Sequence, residues 1–360
     1  MRSLATAIRY ESCGDPGLVL KSGNIDTGSL GPKSVAIKML AAPINVSDLN
    51  MIEGTYGIKA KLPAVGGNEG VGVVKGVGAD VTSLNEGDWV IPSSPGFGTW
   101  RDETVVEEND VITVPNDIPV SYAATLSVNP ATAYRLLRDF AQLKPGDVVM
   151  QNGANSMVGL CVIQMAREMG VKTINIVRSD RPDLHSTLRL LNNYGGDLNV
   201  PDNYVGTPEF KAIMKDMGPC KLALNCIGGD ILTDMARSLT DGAKVVSYGG
   251  MSKKPIDLPS DLVSSKSLSM EGFWVTEWNS KASITERINM LNDIATMVKE
   301  EKLSLLYELY DFDDFSRALE KSKEAFRLRK IVLQIDHPDR LKEHDEKSED
   351  EYEVFSYPVK

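Results

Sequence analysis

The segment 147–177 constrains the fold more than any other part of the chain. Its predicted elements are an apolar strand at 148–151, a loop with two glycines at 152–159, a helix through Gly170 and a second strand at 173–177. Further strands are predicted at 222–226 and 244–248, with a helix at 232–239 between them. Strands that alternate with helices form a parallel sheet with helices on both faces. The sequence therefore predicts an α/β fold with a doubly wound sheet.

The loop after the first strand has the composition of a phosphate-binding turn. Gly153 permits a tight turn, and Gly159 permits close packing of the helix on the strand. Free N–H groups and the positive dipole end of a helix attract phosphates. The residues expected against a pyrophosphate are Asn155, Ser156, Met157 and Val158. The middle glycine of the G-x-G-x-x-G pattern is absent, and an ordinary strand–turn–helix explains the loop equally well.

Two arginines follow the second strand. An acidic residue at this point binds the ribose 2′-hydroxyl of NAD, whereas an arginine binds the 2′-phosphate of NADP. Arg178 ends the strand and Arg181 follows three residues later, and a planar guanidinium binds phosphate through two parallel hydrogen bonds. We therefore expect NADP. Asp180 keeps two alternative interpretations, a ligand for the ribose of NAD or the N-cap of a helix ahead of Pro182.

The chain divides into a β-rich part and a part with alternating elements. Short apolar runs separated by turns up to about residue 118 are typical of a partial β-barrel. A helix is predicted over 120–143, and a last strand at 331–335 is expected to return to the first domain. The predicted domains are a discontinuous β-rich domain at 1–119 and 300–341, a nucleotide-binding domain at 120–299 and an acidic tail at 342–360.

Charge and composition exclude several classes of function. The chain carries a net charge of −11 and has no basic stretch, which excludes most nucleic-acid binding. No apolar run approaches the roughly 18 residues of a membrane span. The only three histidines are His185, His337 and His344, and the four cysteines are scattered, so most zinc sites are excluded. A strand predicted at 4–10 leaves little room for a presequence.

Two asparagines connect this pattern to a known superfamily. A β-rich domain followed by a nucleotide-binding domain resembles the medium-chain dehydrogenases/reductases. Zinc-dependent members carry a cysteine ligand where this chain has Asn45, and a histidine ligand where it has Asn68. Neutral amides are poor zinc ligands beside thiolate and imidazole. The resemblance therefore implies a zinc-free site with no metal ligands.

Within that branch the chain resembles the mitochondrial 2-enoyl thioester reductases. The matching segments are 45–57, 62–71, 128–135, 248–251 and 272–276. The resemblance implies a GroES-like β-rich catalytic domain, a Rossmann domain, NADPH as cofactor and a homodimer. It implies reduction of trans-2-enoyl-ACP or enoyl-CoA in mitochondrial fatty-acid synthesis, with acyl carrier protein as a partner, and a mitochondrial location, the cytoplasm being the alternative. The stretch 177–182 has one residue more than the family's V-R-D-R-P, so the sequence does not decide which of the two arginines binds the phosphate.

The resemblance also implies roles for individual residues. Tyr56 corresponds to the catalytic tyrosine, which donates to the developing enolate because a phenol is ordinarily protonated at neutral pH. Asn129 corresponds to a cofactor contact, although it also suits the N-cap of a helix that starts at Pro130. The other implied cofactor contacts are Tyr248, Gly249, Gly250, Met251, Phe273, Trp274, Val275 and the phosphate-binding Lys330.

Two other functions stay open at this point. A zinc-free quinone or alkenal reductase of the same superfamily has the same fold. A non-catalytic NADP-binding interaction protein would bind the cofactor without turnover. The Tyr56 segment and the Phe273–Trp274 pair favour the thioester reductase.

Overall fold

The computed structural model describes residues 4–336. The elements up to residue 139 are β1 (Leu4–Tyr10), α1 (Pro16–Val19), β2 (Lys21–Asp26), β3 (Ser34–Pro43), α2 (Val46–Glu53), β4 (Ala64–Val65), β5 (Val71–Val77), β6 (Trp89–Pro92), β7 (Glu103–Glu107), β8 (Val111–Val114), α3 (Val120–Ala123) and α4 (Asn129–Asp139). The predicted tail at 342–360 lies outside the described residues.

The rest of the described chain begins with alternating strands and helices. These are β9 (Val148–Asn152), α5 (Met157–Glu168), β10 (Lys172–Val177), α6 (Leu184–Asn193), β11 (Leu198–Pro201), α7 (Pro208–Met217), β12 (Cys220–Asn225), α8 (Ile231–Arg237), β13 (Lys244–Ser247), α9 (Ser260–Lys266), β14 (Ser269–Gly272) and α10 (Val275–Lys281). The last elements are α11 (Ile284–Lys299), β15 (Tyr307–Asp311), α12 (Phe315–Lys323) and β16 (Lys330–Gln334).

The described chain divides into two compact units. The first contains 4–128, 279–299 and 306–336, and the second contains 129–278 and 300–305. These bounds differ from the predicted ones, because α3 and α11 belong to the first unit and residues 300–305 belong to the second. Arg287 donates to the carbonyl of Ser93 at 2.7 Å, and Lys299 forms an ion pair with Asp117 at 2.7 Å.

Antiparallel strands make up most of the first unit. Its larger sheet has the order β15-β16-β3-β5-β6-β8, with β7 also pairing with β3. The last strand, β16, pairs antiparallel with β3, so the prediction that it returns to the first domain is confirmed. Trp100 is fully buried in the core and donates to the carbonyl of Pro43 at 3.2 Å. Helix α2 follows β3 directly and carries the segment that leads to Tyr56.

The second unit contains the predicted doubly wound sheet. Its six parallel strands have the order β11-β10-β9-β12-β13-β14. All residues of β9 are buried, as expected for a central strand covered on both faces. The order reverses at β9, and ligands of such sheets bind at this point, beyond the carboxyl ends of the strands. No helix among residues 4–336 is long and apolar enough to span a membrane.

Two local predictions are wrong. The helix predicted over 120–143 is broken into α3 and α4, because Pro130 favours a new helix start and Val128 donates its N–H to the side chain of Glu69 instead of continuing a helix. The helix after β10 starts at Leu184, preceded by Asp183, so Asp180 is not its N-cap. Asp180 instead pairs with Arg178.

Candidate active site

The loop between β9 and α5 has the close backbone approach expected of a phosphate-binding turn. Gly153 has a φ of +61°, and a Cβ there would lie 2.5 Å from the Cys226 sulfur. A Cβ on Gly159 would lie 2.4 Å from the carbonyl oxygen of Ala154. Ser156 caps α5 by accepting the N–H of Gly159 at 3.2 Å. These positions need glycine, and the start of α5 presents N–H groups to an anion.

The loops after β13 and β14 lie at the same edge of the sheet. Met251 donates its N–H to the carbonyl of Cys226 at 2.9 Å, which holds the 248–251 loop beside the end of β12. Phe273 donates its N–H to the carbonyl of Ser247, at the end of β13, at 2.9 Å. The structure therefore brings the predicted residues of both loops together with the glycine loop. Met251 and Trp274 are exposed there, and Val275 is buried.

Two buried polar atoms at predicted cofactor residues make no hydrogen bond within the described part of the chain. They are the side-chain oxygen of Asn129, at the start of α4, and the hydroxyl of Tyr248. Asn129 is therefore not a helix cap through that oxygen, contrary to one of its two interpretations. Tyr248 lies beside the Cys226 thiol, and burial raises the pKa of its hydroxyl well above the ordinary value. Buried polar atoms are normally paired, so these two fit a ligand with polar groups, as a dinucleotide has.

The two candidate arginines have different surroundings. The Arg178 guanidinium contacts the Asp180 carboxylate at 2.6 and 2.9 Å, and its side chain is 57% exposed. The Arg181 side chain is 2% exposed and is paired with Asp183 at 2.7 and 2.9 Å. This pair lies at the start of α6, and the Arg181 guanidinium lowers the pKa of Asp183. Arg178 is the arginine that can reach a phosphate from solvent.

Tyr56 lies in the first unit, just after α2. The helix ends at Gly54 with a left-handed φ of 78°. The N–H groups of Thr55 and Tyr56 both donate to the carbonyl of Asn50, at 2.9 and 3.0 Å. The backbone of Tyr56 is therefore fixed to α2, and its side chain is partly buried.

A polar cluster, buried at its acids and partly buried at Asn68 and Lys330, occupies the positions of the missing zinc ligands. It consists of Asn45, Asp48, Asn68, Glu69 and Lys330, and the two carboxylates are each 1% exposed. Asp48 accepts the N–H of Asn45 at 2.8 Å and the side-chain amide of Asn68 at 2.7 Å. The Lys330 ammonium donates to the side-chain oxygen of Asn45. The predicted phosphate-binding lysine is thus held inside this cluster.

Burial shifts the pKa values in this cluster toward neutrality. It raises the pKa of Glu69 to about 7, against the attraction of Lys330 and the hydrogen bond from Asn45. It also raises the pKa of Asp48 and lowers that of Lys330 to about 8. The sequence alone did not identify Asp48 or Glu69 as site residues. The position of Glu69 directly after Asn68, in a glycine-rich segment, was a signal that it lies in the site. Residues 4–336 contain no group of three or more His, Cys, Asp or Glu that could hold a metal ion.

Comparison with known proteins agrees with this architecture. The family model described as alcohol dehydrogenase GroES-like domain matches residues 31–116, and the one described as zinc-binding dehydrogenase matches residues 158–293. The predicted fold class, with a GroES-like domain and a Rossmann domain, is confirmed.

Two of the similar proteins are described as mitochondrial enoyl-[acyl-carrier-protein] reductases. The mitochondrial enoyl-[acyl-carrier-protein] reductase of Xenopus tropicalis is 45% identical over 91% of this chain and 95% of its own length. The human one is 44% identical over 91% of this chain and 88% of its own length.

Solved structures give the same result. The mitochondrial 2-enoyl thioester reductase Etr1p/Etr2p heterodimer from Candida tropicalis is 33% identical, with a TM-score of 0.84 over 92% of this chain and 100% of its own. A complex of Etr1p with NADP and crotonyl-CoA has the same values. A putative NADPH:quinone reductase from Bacillus thuringiensis, 24% identical with a TM-score of 0.82, shares the fold alone. The predicted resemblance is confirmed, and the chain belongs to the mitochondrial enoyl-[acyl-carrier-protein] reductases of the medium-chain dehydrogenase/reductase superfamily.

Proposed function

We propose that this protein reduces trans-2-enoyl thioesters to acyl thioesters with NADPH. The observation that carries the proposal is the set of predicted cofactor residues at one edge of the six-stranded sheet, in a chain that is 45% identical to a named enoyl reductase. The unpaired oxygens of Asn129 and Tyr248 lie at residues predicted to contact this cofactor. The alternative functions have no comparable support, because the quinone reductase shares only the fold.

Residues of the second unit would hold the cofactor. The start of α5, with Asn155, Ser156, Met157 and Val158, binds the pyrophosphate, and Arg178 binds the 2′-phosphate. Tyr248, Gly249, Gly250 and Met251 contact the nicotinamide side, and Phe273, Trp274 and Val275 line the cofactor and acyl pocket. Arg181 supports the start of α6 through Asp183 and does not contact the phosphate. Lys330 of the first unit is a further proposed phosphate contact.

Tyr56 performs the proton chemistry. When bound, NADPH supplies a hydride to Cβ of the substrate. The electron pair of the C=C bond then forms a double bond between Cα and the thioester carbon, and the carbonyl π pair moves onto the oxygen as an enolate, which a positioned hydroxyl stabilises. The Tyr56 hydroxyl donates its proton to Cα, and the phenolate regains a proton from water. No metal takes part, because Asn45 and Asn68 replace the zinc ligands.

The direct test is NADPH oxidation with trans-2-enoyl-CoA substrates of about four to sixteen carbons, the range that fits a pocket of a few hundred cubic ångström. A quinone is the comparison substrate. Faster turnover of the thioesters supports the proposal. Preference for the quinone, or cofactor binding without any turnover, contradicts it.

The same proposal includes the partners and the compartment. The substrate is presented on acyl carrier protein as well as on CoA, and the protein acts in mitochondria. β14 has a strand partner only on the β13 side within the described residues, and its Met270 is 40% exposed. An open edge strand can pair with a second copy, which supports a homodimer. Light scattering tests the dimer, and fractionation of cells tests the compartment.

A further inference from the structure

Glu69 joins segments of the first unit that are far apart in sequence. One carboxylate oxygen accepts the N–H of Val128 at 2.8 Å and the hydroxyl of Ser127 at 3.1 Å. The other accepts the side-chain amide of Asn45 at 2.9 Å. A single buried carboxylate therefore fixes both the start of α2 and the residue that precedes Asn129.

With Glu69 ionised, the side-chain amide of Asn45 has one consistent orientation in this cluster. A lysine ammonium is a donor only, and an ionised carboxylate is an acceptor only. Asn45 therefore presents its oxygen to Lys330 and its NH₂ group to Glu69. A proton on the Glu69 oxygen that faces Asn45 would place a donor against a donor. Reversal of the Asn45 amide would relieve that conflict but would turn its NH₂ group toward the Lys330 ammonium.

The start of α2 determines where Tyr56 lies. Asn45 directly precedes the helix, and Asp48 in its first turn holds the Asn45 N–H. At the other end, Asn50 holds the N–H groups of Thr55 and Tyr56. A shift of Asn45 is therefore transmitted through a helix of eight residues to Tyr56.

We propose that Glu69 is a positioning residue whose ionised carboxylate, through Asn45, holds both the helix that carries Tyr56 and the ammonium of Lys330. This inference rests on the proposed function of Tyr56. Buried charges are costly in stability, and their retention here is explained by the geometry that they impose. The charged groups that face Glu69 are Lys330 and Asp48, while Arg327 faces Lys330 and Tyr10 faces Asp48.

The test combines Glu69→Gln with Tyr56→Phe in a double-mutant cycle. The glutamine side chain has nearly the same shape as the glutamate but turns an NH₂ group toward either Asn45 or Val128. We expect E69Q to lower kcat for crotonyl-CoA at saturating NADPH by about tenfold or more in the wild-type background, because small displacements of a catalytic group are costly. In the Y56F background it should lower kcat by less than about threefold, since the two residues act as a unit. Glu86→Gln, an exposed exchange in the same unit, is the matched control.

The pH profile separates positioning from a merely structural role. Wild-type kcat should rise with pH around a midpoint near 7, as Glu69 ionises, and E69Q should lack this rise. An equal loss in both backgrounds, an unchanged kcat in E69Q, or an unchanged pH profile overturns the proposal. A Y56F variant that keeps its kcat contradicts the proposed function instead. If E69Q alone does not fold, Glu69→Asp, which keeps the charge but withdraws the carboxylate from Asn45 and Val128, takes its place in the cycle, with the same expected losses of kcat.

Discussion

The pH dependence of stability offers a quantitative test of the buried Glu69. Its pKa is about 7 in the folded protein, against an ordinary value of 4.5, because burial disfavours the charged carboxylate. The folded state therefore binds more protons than the unfolded state between these two values. The wild-type free energy of unfolding consequently falls as the pH rises through this range, by at most about 1.4 kcal/mol per pH unit from this group.

Glu69→Gln removes that dependence. Integrated between about pH 5 and about pH 7, the contribution of one carboxyl with these two pKa values is about 2 kcal/mol. The free energy of unfolding of E69Q, relative to wild type, should thus rise by about 2 kcal/mol over this interval. Lys330 loses an attractive partner in the variant, which lowers its pKa further and acts in the same direction.

Urea denaturation, followed by circular dichroism at both pH values, measures this difference. The free energy of unfolding of Glu86→Gln, relative to wild type, should change by close to zero between the two pH values, because that side chain is exposed. The free energy of unfolding of E69Q relative to wild type is compared between about pH 5 and about pH 7. A rise of less than about 0.5 kcal/mol, or a fall, would refute the assignment of a raised pKa to Glu69.

Three other predictions concern the second unit. Arg178→Ala should weaken NADPH binding about 10- to 100-fold, because a charge-assisted hydrogen bond is lost, with little effect on the binding of NADH. Arg181→Ala should mainly lower the melting temperature. Isothermal calorimetry measures the first effect and thermal melts measure the second. Gly153→Ala should abolish measurable NADPH binding or the fold itself, because the new Cβ would lie 2.5 Å from the Cys226 sulfur at a φ of +61°; a variant with wild-type affinity contradicts this. Met270→Lys should convert the dimer to a monomer in light scattering by placing charge on an exposed edge strand, and an unchanged mass would argue against β14 as the interface.

Sequence patterns predicted the fold class but not the strand order. The short apolar runs of β9, β10, β12 and β13 and the glycine loop were sufficient for a parallel sheet, because such strands are buried on both faces. The break between α3 and α4 was missed because its cause, the bond from Val128 to Glu69, joins residues far apart in sequence.

Candidate site residues could be predicted from the sequence where they belong to a motif. They could not be predicted where their role depends on how deeply the side chain is buried. Arg178 and Arg181 look alike in the sequence, and only their exposures of 57% and 2% separate them. Asp48 and Glu69 were missed for a similar reason. The role of either acid can be inferred only when its partner in the fold is known. That partner, Lys330, is far away in sequence, on the last described strand.

We propose that Tyr56 donates the proton in an NADPH-dependent reduction of an enoyl thioester. The most direct measurement compares kcat of wild type and Tyr56→Phe with crotonyl-CoA, together with the Kd for NADPH. We expect turnover by the wild type, a kcat about 10²- to 10⁴-fold lower in the variant, and an unchanged Kd. A variant kcat within about threefold of the wild type would contradict the role of Tyr56, and a wild type without turnover would contradict the function.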